Sequence, residues 1–257
     1  MGSIQFLGAA STVTGSRYLV STKTKKILVD CGLFQGLKSL RLKNWDNFPV
    51  DPSSVDIILL THAHLDHSGY IPRFVKNGFR GKIFCTGATK DLCKILLLDA
   101  AKIAEEEAAY LNKHNRSKHQ PALPLFSSED TLRSIEHFQP VSFDESIALD
   151  ASTKFEFRYA GHILGAASII LEVEGKKIAF TGDIGRPNDP IFFPPKLLPA
   201  VDYLITESTY GNRRHKNSNP LDDLEQIIQQ TVKRKGSIII PSFAVGRAQN
   251  LMYYLWK

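Results

Sequence analysis

Three imidazoles and a carboxylate lie within the stretch Thr61-His62-Ala63-His64-Leu65-Asp66-His67. Imidazole nitrogens and carboxylate oxygens are the donors that zinc and neighbouring divalent metals take in proteins. His62 and His64 alternate about Ala63, so an extended backbone turns both rings to one side. Asp66 and His67 follow on a turn and can face a second point in space. One ion uses fewer ligands than this, whereas two ions sharing a cluster use all of them. A solvated histidine-rich loop is the plainer alternative, but the density of ligands in so short a stretch argues for a binuclear metal site.

The elements that must position these groups are strands. Val55 to Leu60, directly before the ligand stretch, is an apolar run that reads as a buried strand. In open α/β architectures, sites collect on the loops that leave the carboxyl ends of strands. Asp30 closes another short strand, Lys26 to Asp30, and is followed by Cys31-Gly32. Gly161-His162-Ile163-Leu164-Gly165 follows the strand-like Phe155 to Tyr159, and Gly182-Asp183-Ile184-Gly185 follows Lys177 to Thr181. A lone histidine or aspartate in a turn usually makes only local hydrogen bonds. Here each leaves a strand in a chain that already carries a ligand cluster, which favours a metal role for His162 and Asp183.

Further strands are expected at Ile4 to Leu7, Arg17 to Ser21, Lys82 to Cys85, Ala167 to Val173, Val201 to Glu207 and Ser237 to Pro241. The small residues of Ala9 to Ser16 would let the backbone approach a ligand or another strand closely. Gly69 to Val75 reads as a short helix, with Pro72 tolerated near its start. A long helix is expected after a Thr89 cap, another from Ser127, and a third over Leu221 to Val232. Glu105-Glu106-Glu107 reads as a solvated face. His114, His119 and His137 belong to no ligand pattern and are expected at the surface or in structural roles.

The chain has 257 residues, 43% hydrophobic and 23% charged, enough for one large domain or a domain plus a fragment. Thirty-two Lys and Arg against 26 Asp and Glu give +6, which permits a polyanionic partner; the basic residues are not gathered into one run. Cys31, Cys85 and Cys93 are odd in number and lack Cys-x-x-Cys spacing, so a reducing compartment, the cytoplasm, is expected. No signal sequence or run of membrane-spanning length is apparent. The sequence stops inside the amphipathic run Leu251 to Trp256 without a helix-stop signal, and a longer natural protein is expected.

His62-x-His64-x-Asp66-His67, preceded by Asp30 and followed by Gly-His162 and Gly-Asp183, resembles the metallo-β-lactamase superfamily. Glu207-Ser208-Thr209-Tyr210-Gly211 and Pro241-Ser242-Phe243-Ala244-Val245-Gly246-Arg247 resemble its β-CASP nucleic-acid-processing branch. Val13-Thr14-Gly15-Ser16 is similar to the part of that branch that contains the mRNA 3′-end-processing endonuclease and its prokaryotic relatives. The resemblance covers the whole chain.

It implies an α/β fold, a four-layer αββα sandwich over residues 1–205, with residues 206–257 opening an incomplete β-CASP domain. It implies two zinc ions: His62, His64 and His162 on the first, Asp66 and His67 on the second, Asp183 bridging, and Asp30 orienting the cluster from behind. Asp66, Asp183 and Glu207 would be the catalytic carboxylates, Glu207 by partnering a histidine that acts on the leaving group. That histidine and another completing the second zinc lie beyond this sequence in the family, so the second site is expected to be incomplete and this chain weakly active or inactive. His215 fits neither role.

Ser208, Arg213, Arg214, Ser242 and Arg247 are candidates for backbone phosphates, though a basic surface loop is an equal reading. The expected function is zinc-dependent hydrolysis of single-stranded RNA by a hydroxide that two metals activate, with a homodimer as the expected assembly of the longer protein. A DNA or other substrate, and a non-catalytic RNA-binding or scaffold role, are the alternatives. Retention of all the metal-ligand positions within this sequence favours a catalytic parent.

Overall fold

The computed structural model describes residues 2–214 and 219–257; His215 lies outside them. The first sheet has the spatial order β1 (Ser3–Phe6), β2 (Tyr18–Ser21), β3 (Lys26–Val29), β4 (Ile57–Leu59), β5 (Lys82–Cys85) and β6 (Phe138–Pro140). β1, β2 and β3 pair antiparallel, whereas β3 to β6 run parallel. Parallel neighbours need crossovers. These carry α1 (Lys38–Leu42), α2 (Leu65–Ser68), α3 (Ile71–Lys76), α4 (Gly87–Lys113) and α5 (Ser128–Ile135).

The second sheet is built from β7 (Ile147–Asp150), β8 (Thr153–Tyr159), β9 (Ala167–Val173), β10 (Lys176–Phe180) and β11 (Tyr203–Ile205). It is antiparallel except for the parallel pair β10 and β11. Two further helices, α6 (Pro220–Lys233) and α7 (Arg247–Trp256), follow.

Alternation along the strands decides the layers. Val20, Ile27, Val29 and Leu59 of the first sheet pack against Phe155, Phe157, Ile169, Leu171 and Phe180 of the second. Their neighbours Leu19, Leu28 and Ile58 face the opposite way, into a core with Phe74, Cys93 and Leu97 from the crossover helices. With both faces covered, Ile57, Ile58 and Leu59 are all buried, which is why the sequence reads there as a continuous apolar run. The result is the expected α/β sandwich. No helix among the described residues is long and apolar enough to cross a membrane.

Three expectations change. The long helix is capped by Thr86, whose Oγ1 accepts from the Thr89 amide at 3.2 Å. Both threonine hydroxyls then donate to the Gly165 carbonyl, at 2.7 and 2.9 Å, which fastens α4 to the His162 loop. Glu105 is not merely solvated: its carboxylate accepts from the Ser128 amide and hydroxyl, both at 2.8 Å. Residues 236–240 form no strand. A β-branched run needs a neighbouring edge to form a ladder, and Ile239 is 91% exposed.

Candidate metal centre

The centre begins with the parallel pairing of β3 and β4, which brings their carboxyl ends side by side. Asp30 leaves β3 with φ +58°, a left-handed conformation unusual for a residue with a side chain. Its buried carboxylate is thereby turned toward the end of β4. There it accepts from the Thr61 amide at 2.8 Å and the Thr61 hydroxyl at 2.9 Å, and it meets His67 Nδ1 at 2.7 Å. With Nδ1 held on Asp30, it is Nε2 that faces the cluster, and loss of its proton would turn a lone pair that way.

The ligand loop is set down on residues 30–33. Cys31 donates to the His67 carbonyl at 2.7 Å, Leu33 to the Leu65 carbonyl at 2.8 Å, and Ser16 to the Asp66 carbonyl at 2.9 Å. Gly32 is pressed so closely against the loop that a Cβ there would stand 1.6 Å from the Asp66 carbonyl oxygen. Only glycine allows this approach.

The second sheet supplies the rest. His162 lies in the loop between β8 and β9, and Asp183 follows β10. Gly182, at φ +55°, turns the chain where a Cβ would meet the Thr61 side chain at 2.8 Å. His64 Nδ1 lies 3.2 Å from His62 Nε2 and 3.2 Å from His162 Nε2. Asp183 Oδ2 lies 3.7 Å from His62 Nε2 and 3.4 Å from His162 Nε2. A tetrahedral zinc with bonds of ~2.05 Å spaces its ligand atoms about 3.3 Å apart, so these four donors fit one ion. The other Asp183 oxygen, Oδ1, is 3.3 Å from His67 Nε2, which in turn is 3.9 Å from Asp66 Oδ2. Asp183 therefore divides its two oxygens between two sets of donors.

Electrostatics fit the same division. Burial, reinforced by His67, holds His62 well below the usual histidine pKa, and burial likewise lowers His64 and His162. All three are neutral donors with lone pairs to give. His67 is the opposite case: burial would lower it, but Asp30 and Asp183 raise it well above the usual value. Burial would raise Asp183, but the surrounding imidazoles, His67 foremost, pull it far below the usual carboxylate range. Any metal held at the second set would have to displace the His67 proton.

Beside this centre opens a cavity of about 280 Å³ lined by Ser16, Tyr18, Thr181, Glu207 and Ser208 and reaching His67 and Asp183. Glu207 Oε1 accepts from the Ile184 amide at 2.9 Å, which ties it to the residue after Asp183. Arg213, Arg214 and Ser242 are exposed. Arg247 opens α7 with its guanidinium 5.8 Å from the centre of the Phe243 ring, and that ring stands 6.4 Å from His64. Phe243 was not among the residues singled out from the sequence; its one signal there was its place in the Pro241 to Arg247 stretch.

Residues 12–82, from the small-residue loop through the first ligand set, match the metallo-beta-lactamase superfamily. Over 250 residues the chain is 36% identical to ribonuclease TTHA0252 of Thermus thermophilus, covering 97% of this chain and 53% of that protein. The chain belongs to the metallo-β-lactamase superfamily. Two further relatives, of Candida glabrata and Saccharomyces cerevisiae, are named as endoribonucleases and are 33% and 34% identical over 97% of this chain and 32% of theirs. Cleavage and polyadenylation specificity factor 73 of Drosophila melanogaster is 34% identical over 255 residues, 98% of this chain and 35% of that protein. This metallo-β-lactamase chain thus spans about half the length of the first relative and about a third of the others. A solved structure from Enterococcus faecalis V583, described as a protein of unknown function, aligns with a TM-score of 0.51 at 12% identity, covering 90% of this chain and 57% of that one; the likeness extends to the fold alone.

Proposed function

We propose that this chain carries the metal-binding part of a zinc-dependent ribonuclease that hydrolyses phosphodiester bonds of single-stranded RNA. The observation that supports it most is the placement of the two Asp183 oxygens against separate donor sets, 3.4 Å from His162 and 3.3 Å from His67. His62, His64, His162 and Asp183 would hold the first zinc, and Asp66, His67 and the second Asp183 oxygen the other. What a pair of divalent cations supplies when bound is Lewis-acid activation of water and neutralisation of charge on phosphoryl oxygens.

The protein's own groups do the rest. Asp30 fixes the His67 ring and thereby the direction of its lone pair. Glu207, held by the Ile184 amide, orients a proton donor toward the departing oxygen. Ser208, Ser242, Arg213, Arg214 and Arg247 receive backbone phosphates, each contact adding to the salt dependence of binding. Residues 1–205 form the metallo-β-lactamase domain and residues 206–257 open the β-CASP domain. The three buried free thiols support a reducing, cytoplasmic setting.

Zinc content is to be measured on the 257-residue chain, and cleavage of labelled single-stranded RNA and DNA on the natural full-length protein. One tight and one weaker ion are expected for the chain, because the second set shows three side chains. His64→Ala is expected to abolish RNA cleavage. Undiminished cleavage by that variant would overturn the metal mechanism, and preference for DNA would overturn the substrate.

A further inference from the structure

Arg17 is only 2% exposed, and among the described residues its side chain bonds no carboxylate. A buried cation without a counter-ion is costly, and a well-packed apolar residue would ordinarily serve a core better. Burial draws its pKa below the ordinary arginine value. What compensates it is a box of π faces: the guanidinium carbon lies 4.2 Å from the centre of the Tyr70 ring, 4.8 Å from Phe34 and 5.1 Å from Phe48. Aromatic faces attract desolvated guanidinium groups through their quadrupoles.

The two hydrogen bonds that remain point to the use of this charge. Nε donates to the Gly32 carbonyl at 2.8 Å, and Nη2 donates to Asn44 Oδ1 at 3.4 Å. Asn44 brackets the neighbouring residue, accepting from the Phe34 amide at 2.9 Å and donating to the Phe34 carbonyl at 2.8 Å. Residues 32–34 are therefore clamped on one side by Arg17 and Asn44. On the other side the same segment is the bed of the ligand loop, through Leu33 to Leu65 and Cys31 to His67 and through the close seat of Gly32 on Asp66. Among the described residues no backbone hydrogen bond runs from residues 31–34 to His62, His64, His162 or Asp183 themselves.

We propose that Arg17 is a positioning residue: acting through Gly32, it holds Asp66 and His67 in place and so sets the affinity for the second metal ion while leaving the first nearly untouched. The proposal rests on the two-ion reading above. Its test is a stepwise zinc titration of the 257-residue chain against a chelator of known affinity, with amide hydrogen exchange and thermal unfolding of the same metal-free samples. The variants are Arg17→Met, Arg17→Lys and, as a control, Arg73→Met. Arg73 also pairs an aromatic ring with a carbonyl, through Trp45 and Leu125, but does not touch the bed of the loop.

Arg17→Met is expected to weaken the second ion roughly 10- to 100-fold, the range seen when groups behind metal ligands are removed, with the first ion changed less than about 3-fold. Arg17→Lys, still able to donate to Gly32, is expected to recover most of the loss. Cys31 and Leu33 amides, which bond the His67 and Leu65 carbonyls, are expected to exchange at least about 10-fold faster in Arg17→Met and not in Arg73→Met. If Arg17→Met does not fold, Asn44→Ala, which releases the other half of the clamp on Phe34, is expected to weaken the second ion selectively and carries the comparison against Arg73→Met, and if the chain takes up a single ion, the exchange rates do. Equal weakening of both ions, or a lower melting temperature with both affinities and the exchange pattern unchanged, would overturn the proposal. Failure of the unaltered chain to bind any ion would instead overturn the metal reading beneath it.

Discussion

Replacing Asp30 with asparagine removes one charge and one acceptor from a fully enclosed position. Asp30 Oδ1 takes the Thr61 amide proton, and Oδ2 takes the Thr61 hydroxyl and faces His67 Nδ1. An asparagine that keeps the first bond turns its amide nitrogen toward His67 Nδ1, donor against donor, while the Thr61 hydroxyl can rotate to accept from it. The charge-assisted bond to His67, worth ~1.5–3 kcal/mol, is lost, and a buried imidazolium keeps only Asp183 at 3.3 Å and Asp66 at 3.9 Å, so with the broken buried pair the expected cost is about 3–5 kcal/mol.

The pH dependence has a definite sign. His67 is raised in the folded chain, so its contribution is fully present below the unfolded histidine value of ~6.5. It is lost as pH rises through the higher folded value. Urea unfolding of metal-free protein should therefore show the largest gap between wild type and Asp30→Asn near pH 6, with the gap narrowing in alkali. A gap under about 1 kcal/mol at pH 6, or one that widens with pH, would refute the reasoning.

Burial pushes the Cys31 and Cys85 thiols up to about 12 and Cys93 well above its usual value, so a thiol reagent at pH 8 should label none of them until the chain unfolds; a fast-reacting thiol in native protein would contradict this. Because the unfolded thiols ionise near ~8.5 while the folded ones keep their protons, each should cost about 1.4 kcal/mol of stability per pH unit above that point, and a flat stability profile from pH 9 to 11 would contradict it. Gly182→Ala meets both a left-handed backbone and the Thr61 side chain, and should cost ~1–3 kcal/mol and weaken metal binding by displacing Asp183, as read by zinc competition. Phe243→Ala, by removing an aromatic face beside His64, should weaken binding of single-stranded RNA to the metal-free full-length protein by ~1–3 kcal/mol; unchanged fluorescence anisotropy curves would exclude base stacking there.

The first ligand stretch was legible because its geometry is local: an apolar strand, an alternation about Ala63, and a turn. His162 and Asp183 could be found from a repeated arrangement, a strand running out into glycine. Which Asp183 oxygen faces which donors could not, since that depends on Gly182 fitting against Thr61. Arg17 was unreadable for a similar reason. Arginine ordinarily marks a surface, and the rings that enclose this one come from positions 34, 48 and 70. Thr89 and Thr86 are equally good caps by residue type, and only the course of the chain out of β5 selects Thr86. The isoleucines at 238–240 had the propensity of a strand and no edge to join.

The donors of the centre come from both halves of the sandwich, His62, His64, Asp66 and His67 from the end of β4 and His162 and Asp183 from the loops after β8 and β10. A cation held among them would work as a rivet through two plates that otherwise adhere by their oily inner surfaces. At a free concentration a hundred times its dissociation constant, one such ion adds about 2.7 kcal/mol to the folded state. Stripping it with a chelator should part the plates first at this end, beside the rims where Glu207 and Phe243 stand, so the grip on the ion and the shape of the cleft above it are one property.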